Sequence, residues 1–127
     1  HTDGKAARTT DATVRGLIEH ARAGRGLPVQ PLSAAAIQRR ALLAMVNEAA
    51  LCLQEGIIES PLDGDIGAVF GLGFPPFRGG PFRYIDTLGV QNVVDMLYDL
   101  TAKYGERFEP AQILLDYAKE NKKFYTK

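Results

Sequence analysis

The sequence predicts an all-α fold, a bundle of about five or six helices. Apolar residues recur at every third or fourth position in several segments, and serine, proline and glycine stand where those segments begin and end. No segment alternates apolar and polar residues in the manner of a half-buried strand. The length of 127 residues is that of a single domain, and 46% hydrophobic residues are enough for a modest core.

A first, weakly apolar helix is predicted from Thr10 or Asp11 to about Ala23, since apolar residues recur there at helical spacing. Gly24 is expected to close this helix as a left-handed cap, a conformation that glycine adopts without strain. His20 is expected to face solvent.

Two glycines and two prolines in residues 24–31 predict a linker. Residues 1–32 are therefore interpreted as an N-terminal segment that consists of a short helix and this linker. Residues 33–127 are interpreted as the folded helical domain.

The longest helix is predicted to run from a cap at Ser33 to Glu55, where Gly56 ends it. Its apolar arc is so wide that we expect the helix to lie at the centre of the domain. The arc consists of Leu42, Leu43, Met45, Val46, Ala49, Ala50 and Leu53.

Four further helices are predicted, and several have a recognisable start or end. Ser60 caps a helix in which Pro61 takes the first position, and Gly105 ends the long helix that precedes the last one. The predicted spans run from Pro61 to about Gly71, from Pro81 to Leu88, from Val90 to about Tyr104, and onward from Pro110.

Residues 71–80 are predicted to form an irregular loop of one shape, because its glycines permit positive φ and its prolines fix φ. The loop and the helix after it carry Phe74, Phe77 and Phe82. These rings either fill the domain's own core or anchor a partner domain, and the two roles can fall to different rings. We expect at least one of them to lie in an interface, since a rigid apolar loop is unusual on a monomer surface.

Arg78 and Arg83 flank the Gly79-Gly80-Pro81 turn at the start of a predicted helix. Two guanidiniums and the free N–H groups of a helix N-terminus suit an anion such as a phosphate or a carboxylate. The alternative is an ion pair within the chain, between Arg83 and Asp86.

No catalytic or cofactor-binding residue is assigned from the pattern. Asp63 and Asp65 are the closest set of carboxylates, and helix capping explains Asp63 without catalysis. Gly71-Leu72-Gly73 begins like a dinucleotide-binding turn, but no strand precedes it and Pro76 stands where a third glycine is required.

Composition excludes several other classes of protein. A single cysteine, Cys52, and two scattered histidines cannot supply a zinc tetrad, so no metal site is predicted. Basic and acidic residues are equal at 15 each, and the mild excess of bases in residues 1–40 favours a solvated linker over a nucleic-acid-binding arm. No apolar run approaches the roughly 20 residues that span a bilayer, and no signal peptide is recognisable. We expect an intracellular location.

Three stretches carry a family resemblance, in the same order as in the family. They are Val46-Asn-Glu-Ala-Ala-Leu-Cys-Leu-Gln-Glu-Gly-Ile57, Gly71-Leu-Gly-Phe-Pro-Pro-Phe-Arg-Gly-Gly-Pro-Phe-Arg-Tyr-Ile-Asp86 and Asn121-Lys-Lys-Phe-Tyr125. Over about residues 37 to 125 the chain resembles the C-terminal, second helical 3-hydroxyacyl-CoA dehydrogenase domain of the multifunctional fatty-acid β-oxidation enzyme, the α subunit of the trifunctional complex.

The resemblance implies a helical domain that is non-catalytic by itself. It would pack against the first helical domain and support a dehydrogenase site that uses NAD and coenzyme A thioesters. Its implied partners are the upstream dehydrogenase domains of the same polypeptide and a thiolase β subunit, and an enoyl-CoA hydratase domain would lie further upstream. The implied location is the bacterial cytoplasm or the mitochondrion.

One position departs from the family pattern. The helical domain of the simpler dehydrogenases carries an active-site asparagine in an Asn-Arg pair. Alignment on Glu48-Ala49 places that pair at Arg39-Arg40, so Arg39 replaces the asparagine. This departure agrees with a domain that has no catalytic role of its own.

Two other interpretations stay open. The chain can be an autonomous interaction module that binds a protein through the Phe74–Phe82 loop, or a small acyl-CoA-binding protein that uses Arg78 and Arg83. If a phosphate of coenzyme A binds this chain, these two arginines are where we expect it. The apolar loop also predicts that the isolated chain self-associates.

Overall fold

The computed structural model describes residues 11–26 and 31–125, and all regular secondary structure within them is helical. The all-α prediction is therefore confirmed. The described helices are α1 (Ala12–Ala23), α2 (Ala34–Gln54), α3 (Pro61–Gly71), α4 (Pro81–Leu88), α5 (Val90–Tyr104) and α6 (Gln112–Lys119), with 3₁₀ turns at Pro76–Arg78 and Glu106–Phe108.

Residues 1–32 and 33–127 form two compact units. In the first unit, the Asp11 carboxylate caps α1 by accepting the N–H of Thr13 at 2.7 Å, and no residue of α1 is buried, His20 included. The left-handed cap predicted at Gly24 is wrong. Gly24 keeps a right-handed φ of −65° because its N–H still bonds to the His20 carbonyl, and positive φ occurs instead at Gly26. Part of the predicted linker, residues 27–30, lies outside the described residues, as do residues 1–10.

In the second unit α2 is the central element, since it packs against α3, α4, α5 and α6. Ser33 begins the helix as predicted, and its hydroxyl accepts the N–H of Ala36 at 3.1 Å. The innermost row of α2 is Leu43, Val46 and Ala50, and the rest of the predicted apolar arc is partly buried beside it.

The predicted starts and ends of α3, α4 and α5 agree with the structure, whereas α6 begins two residues later than predicted. The Asn47 side chain explains the delay. Its Nδ2 donates to the Glu109 carbonyl at 2.8 Å and its Oδ1 accepts the Ala111 N–H at 2.9 Å. The backbone before α6 is thereby bound to α2 in a non-helical conformation, so Pro110 precedes the helix without opening it.

The three phenylalanines of the loop region take different positions. Phe74 and Phe82 are completely buried in the chain's own core, with Phe82 against Phe124 at a ring distance of 4.9 Å. They therefore offer no surface to a partner and are removed as interface candidates. Phe77 is 83% exposed. Of the three, Phe77 is the ring that stays a candidate for an interface.

Candidate functional site

A buried carboxylate lies at the N-terminus of α4. Asp65, which comes from α3, is 3% exposed. Its Oδ1 accepts the backbone N–H of Phe82 at 2.7 Å, and its Oδ2 accepts the N–H of Arg83 at 3.3 Å and the hydroxyl of Tyr125 at 2.6 Å. The helix N-terminus attracts an anion, as the sequence suggested, but the anion is a side chain of the same protein.

Gly80 makes this close approach of α3 and α4 feasible. Its φ is +111°, a region that other residues rarely adopt, and a Cβ at this position would overlap the Asp65 carboxylate. Asp63 lies on the exposed side of α3, where it exchanges hydrogen bonds with Ser60. Asp63 and Asp65 thus serve two different caps and do not form a shared carboxylate site.

The closing segment, residues 121–125, is held by a second carboxylate. Asp86 accepts the backbone N–H groups of Phe124 and Tyr125, both at 2.9 Å. The alternative ion pair between Arg83 and Asp86 is wrong for the described residues. The Arg83 guanidinium lies instead 4.2 Å from the centre of the Tyr125 ring. Burial, followed by the hydrogen bond to Asp65, raises the pKa of the Tyr125 phenol above its usual value of 10.0.

Arg78 lies near two aromatic rings in the loop before α4. Its Cζ is 4.5 Å from the centre of the Tyr84 ring and 5.4 Å from that of Phe77. Its Nε is buried, and among the described residues it has no hydrogen-bond partner. Arg78 and Arg83 line one hollow of about 350 Å³, together with Phe77, Gly79, Asp86, Thr87 and Tyr125. The structure thus brings the two predicted arginines to one place.

Exposed apolar side chains occur along α3 and in the loop after it, and we call this set the α3 face. It consists of Leu62, Ile66, Phe70, Leu72 and Phe77. Phe70 is 86% exposed. The three α3 residues of this face were not predicted, although their spacing of four residues is the signal of a common helix face.

A hollow of about 480 Å³ lies between α2 and α3. Most of its wall is apolar, and Met45, Ala49, Cys52 and Leu72 contribute to it. No atom lies within 4 Å of the place where a Cβ of Gly67 would stand, so the groove is open at the middle of α3. Cys52 is partly buried.

Other kinds of site find little support in the part of the chain that the structure describes. No three histidine, cysteine, aspartate or glutamate side chains converge there as metal ligands. No described helix has both the length and the apolar character to cross a bilayer. Arg39 is exposed near the start of α2.

The fold and these sites define an all-helical domain whose buried polar side chains fasten its own loops, while part of its apolar surface faces outward. Its family follows from comparison with known proteins. A family model described as the C-terminal domain of 3-hydroxyacyl-CoA dehydrogenase matches residues 37–126. The chain belongs to this family, and the resemblance predicted from the sequence is confirmed.

Curated relatives agree with the family. The chain is 57% identical over 98 residues to a fatty acid oxidation complex subunit alpha from Vibrio cholerae. It is 55% identical over 98 residues to a fatty acid oxidation complex subunit alpha from Shewanella amazonensis. Each of these two matches covers 77% of this chain and 14% of the relative. A subunit alpha from Shewanella putrefaciens is 48% identical over 122 residues, which is 95% of this chain and 16% of the relative. The chain thus spans about one seventh of the length of these relatives.

Proposed function

We propose that residues 33–127 act as a non-catalytic helical domain of a multifunctional fatty-acid oxidation enzyme. The domain packs against the first helical domain of that enzyme and supports its 3-hydroxyacyl-CoA dehydrogenase site. Residues 1–32 form the segment that precedes it. The observation that carries the proposal is the α3 face, which is apolar and exposed in this chain.

The α3 face has the composition of the centre of an interface. Large apolar patches on soluble proteins mark contact surfaces, and aromatic residues dominate binding energies there. Burial of a single phenylalanine such as Phe70 stabilises a complex by about 1.5–3 kcal/mol. The adjacent groove, open at Gly67, accommodates a side chain from the partner. The occupant that we propose is the preceding domain, because the relatives are about seven times longer than the match.

Absence of catalysis in this domain is proposed from the residue at one position. Arg39 replaces the asparagine of the family's active site, and its side chain is exposed. The catalytic groups, the NAD site and the coenzyme A thioester site are therefore proposed to lie in the upstream domains. We also propose an upstream enoyl-CoA hydratase domain and a thiolase β subunit as partner. An intracellular location, in the bacterial cytoplasm or the mitochondrion, stays a prediction.

The test uses a shortened form of one relative, from which the matching region has been removed. The Vibrio cholerae subunit alpha is shortened by the part that this chain matches, and NADH formation from a 3-hydroxyacyl-CoA is measured with and without the chain. We expect the chain alone to give no NADH, and to bind the shortened subunit and raise its dehydrogenase activity. The relative's own excised C-terminal region serves as positive control.

Variants locate the contact. Phe70→Ser and Phe77→Ser are expected to weaken binding by roughly tenfold or more each, because each removes an aromatic anchor. Tyr98→Ser is the matched control, since Tyr98 is an exposed aromatic residue on α5. Binding that is lost equally in all three variants contradicts the α3 face as the contact. Failure of the unaltered chain to bind, where the control region binds, contradicts the proposed function itself.

A further inference from the structure

The backbone N–H groups and the carboxylates around the hollow between the loop and the closing segment already have hydrogen-bond partners within the chain. The N–H groups of Phe82 and Arg83 at the start of α4 are satisfied by Asp65. Asp86, the other carboxylate of the hollow, accepts two backbone N–H groups from the closing segment. An external ligand therefore meets two guanidiniums and one hydrogen-bonded carboxylate, and the lining of the hollow carries a net positive charge.

Arg78 and Arg83 are held in place by aromatic rings and not by carboxylates. Within residues 11–26 and 31–125 the ion pair found is between Lys122 and Glu120, elsewhere in the domain. A guanidinium that packs against a ring keeps the N–H groups on its edge available for an anion. The buried Nε of Arg78 lacks a partner, and a buried donor without an acceptor is costly.

Gly79 brings Arg83 close to the loop. Its φ is +77°, and a Cβ at this position would lie 2.9 Å from Cδ of Arg83. The arginine stem thus occupies the space that a side chain would take. The close backbone thus holds the Arg83 stem against the loop, and Arg78 and Arg83 line the same hollow.

We propose that this hollow binds a phosphate group, with the guanidiniums of Arg78 and Arg83 as its ligands. A phosphate has enough oxygens to engage both guanidiniums, whereas the two oxygens of a carboxylate match a single guanidinium fork. Its volume is within the range of about 300–1,000 Å³ for small-molecule sites. The inference does not depend on the proposed function.

The test is a titration of the whole chain with inorganic phosphate at constant ionic strength, followed by NMR of the backbone and arginine Nε–H signals. We expect saturable shifts at Arg78, Gly79 and Arg83. Arg83→Gln, which alters an exposed side chain, is expected to weaken binding roughly tenfold, because hydrogen bonds between charged groups are lost. Arg107→Gln removes an exposed arginine elsewhere and is expected to change nothing.

Three results overturn the proposal: shifts that do not saturate, equal weakening in Arg83→Gln and Arg107→Gln, or acetate that binds as tightly as phosphate. Adenosine diphosphate then identifies the carrier. Tighter binding of this nucleotide, lost in Arg83→Gln, supports a nucleotide ligand, and equal binding supports free phosphate. Arg78→Gln provides a second variant, with thermal unfolding measured first because its stacking on Tyr84 contributes to the fold.

Discussion

Asp65 is the residue whose removal tests the described fold most directly. Asp65→Ala deletes the acceptor for the N–H groups of Phe82 and Arg83 and for the hydroxyl of Tyr125. The carboxylate is almost completely buried, so water does not replace it without rearrangement. The variant therefore leaves buried donors without partners at the start of α4 and under the closing segment.

The magnitude follows from these three bonds. A hydrogen bond to a charged group contributes about 1.5–3 kcal/mol, and neighbouring bonds are not additive, so we expect a loss of about 3–5 kcal/mol. This is a large part of the roughly 5–15 kcal/mol that stabilises a typical domain. Asp65→Asn retains one acceptor oxygen but places its side-chain NH₂ group against one of the donors that now bind the carboxylate. We expect this variant to lose about 2 kcal/mol of the free energy of unfolding.

Urea unfolding measures these losses. With a slope of about 2 kcal/mol per molar urea, Asp65→Ala lowers the midpoint by roughly 2 M. Asp63→Ala is the control, because it removes only the exposed hydrogen bond that Asp63 accepts from the hydroxyl of the cap Ser60, and it is expected to cost about 1 kcal/mol. Should Asp65→Ala fail to fold, Asp65→Asn still ranks the two sites. A loss in Asp65→Asn no larger than that in Asp63→Ala refutes the buried network.

Three further outcomes are expected. Gly64→Ala destabilises the chain by about 1–3 kcal/mol in urea unfolding, since its Cβ would lie 2.6 Å from Cδ1 of Ile58. Gly67→Ala on the same helix stabilises the chain by about 0.5–1 kcal/mol, because no other side chain lies near its Cβ. The reverse order of stabilities contradicts the packing of α3. Asn47→Ala lowers the free energy of unfolding by about 2–3 kcal/mol in the same measurement, because the N–H of Ala111 and the carbonyl of Glu109 before α6 lose their partner. A loss below about 0.5 kcal/mol contradicts these two hydrogen bonds. The pKa of Tyr125 is raised in the folded chain, so the contribution of this group to stability is complete below pH 10 and is lost as pH rises further. In urea midpoints measured against pH, Tyr125→Phe is expected to show a smaller loss of stability at alkaline pH than the unaltered chain. Identical curves for the two proteins contradict this expectation.

Local signals in the sequence were sufficient for most of the helices. Ser33, Ser60 and Pro61 act at the positions where they stand, and their effects depend on residues only a few positions away. The helices of the described residues could thus be predicted from spacing, caps and glycines. The error at Gly24 has a local cause too, because a glycine can take either hand and the helical hydrogen bonds continued for two more residues.

Contacts between distant residues could not be predicted in this way. The delay of α6 depends on Asn47, which precedes Ala111 by 64 positions, and the cap of α4 depends on Asp65, on another helix. Both side chains are polar residues that tertiary contacts bury. The two arginines are predictable from their position beside a helix start, but nothing close to Asp65 in the sequence indicates that its carboxylate occupies that start.

The buried network and the exposed α3 face are physically linked through the loop. Phe74 and the Asp65 carboxylate hold the loop from its two ends, at the C-terminus of α3 and at the N-terminus of α4, and Phe77 projects outward between them. A contact that binds Phe77 requires this loop to be ordered before the encounter, because ordering it on binding would reduce the affinity. The packing of Gly80 against Asp65 therefore stabilises the fold and also positions the ring that we propose as part of the contact. Asp65→Asn is therefore expected to weaken binding of a partner, although Asp65 itself is buried. Gly67→Ala is expected to weaken binding of the partner only by filling the groove.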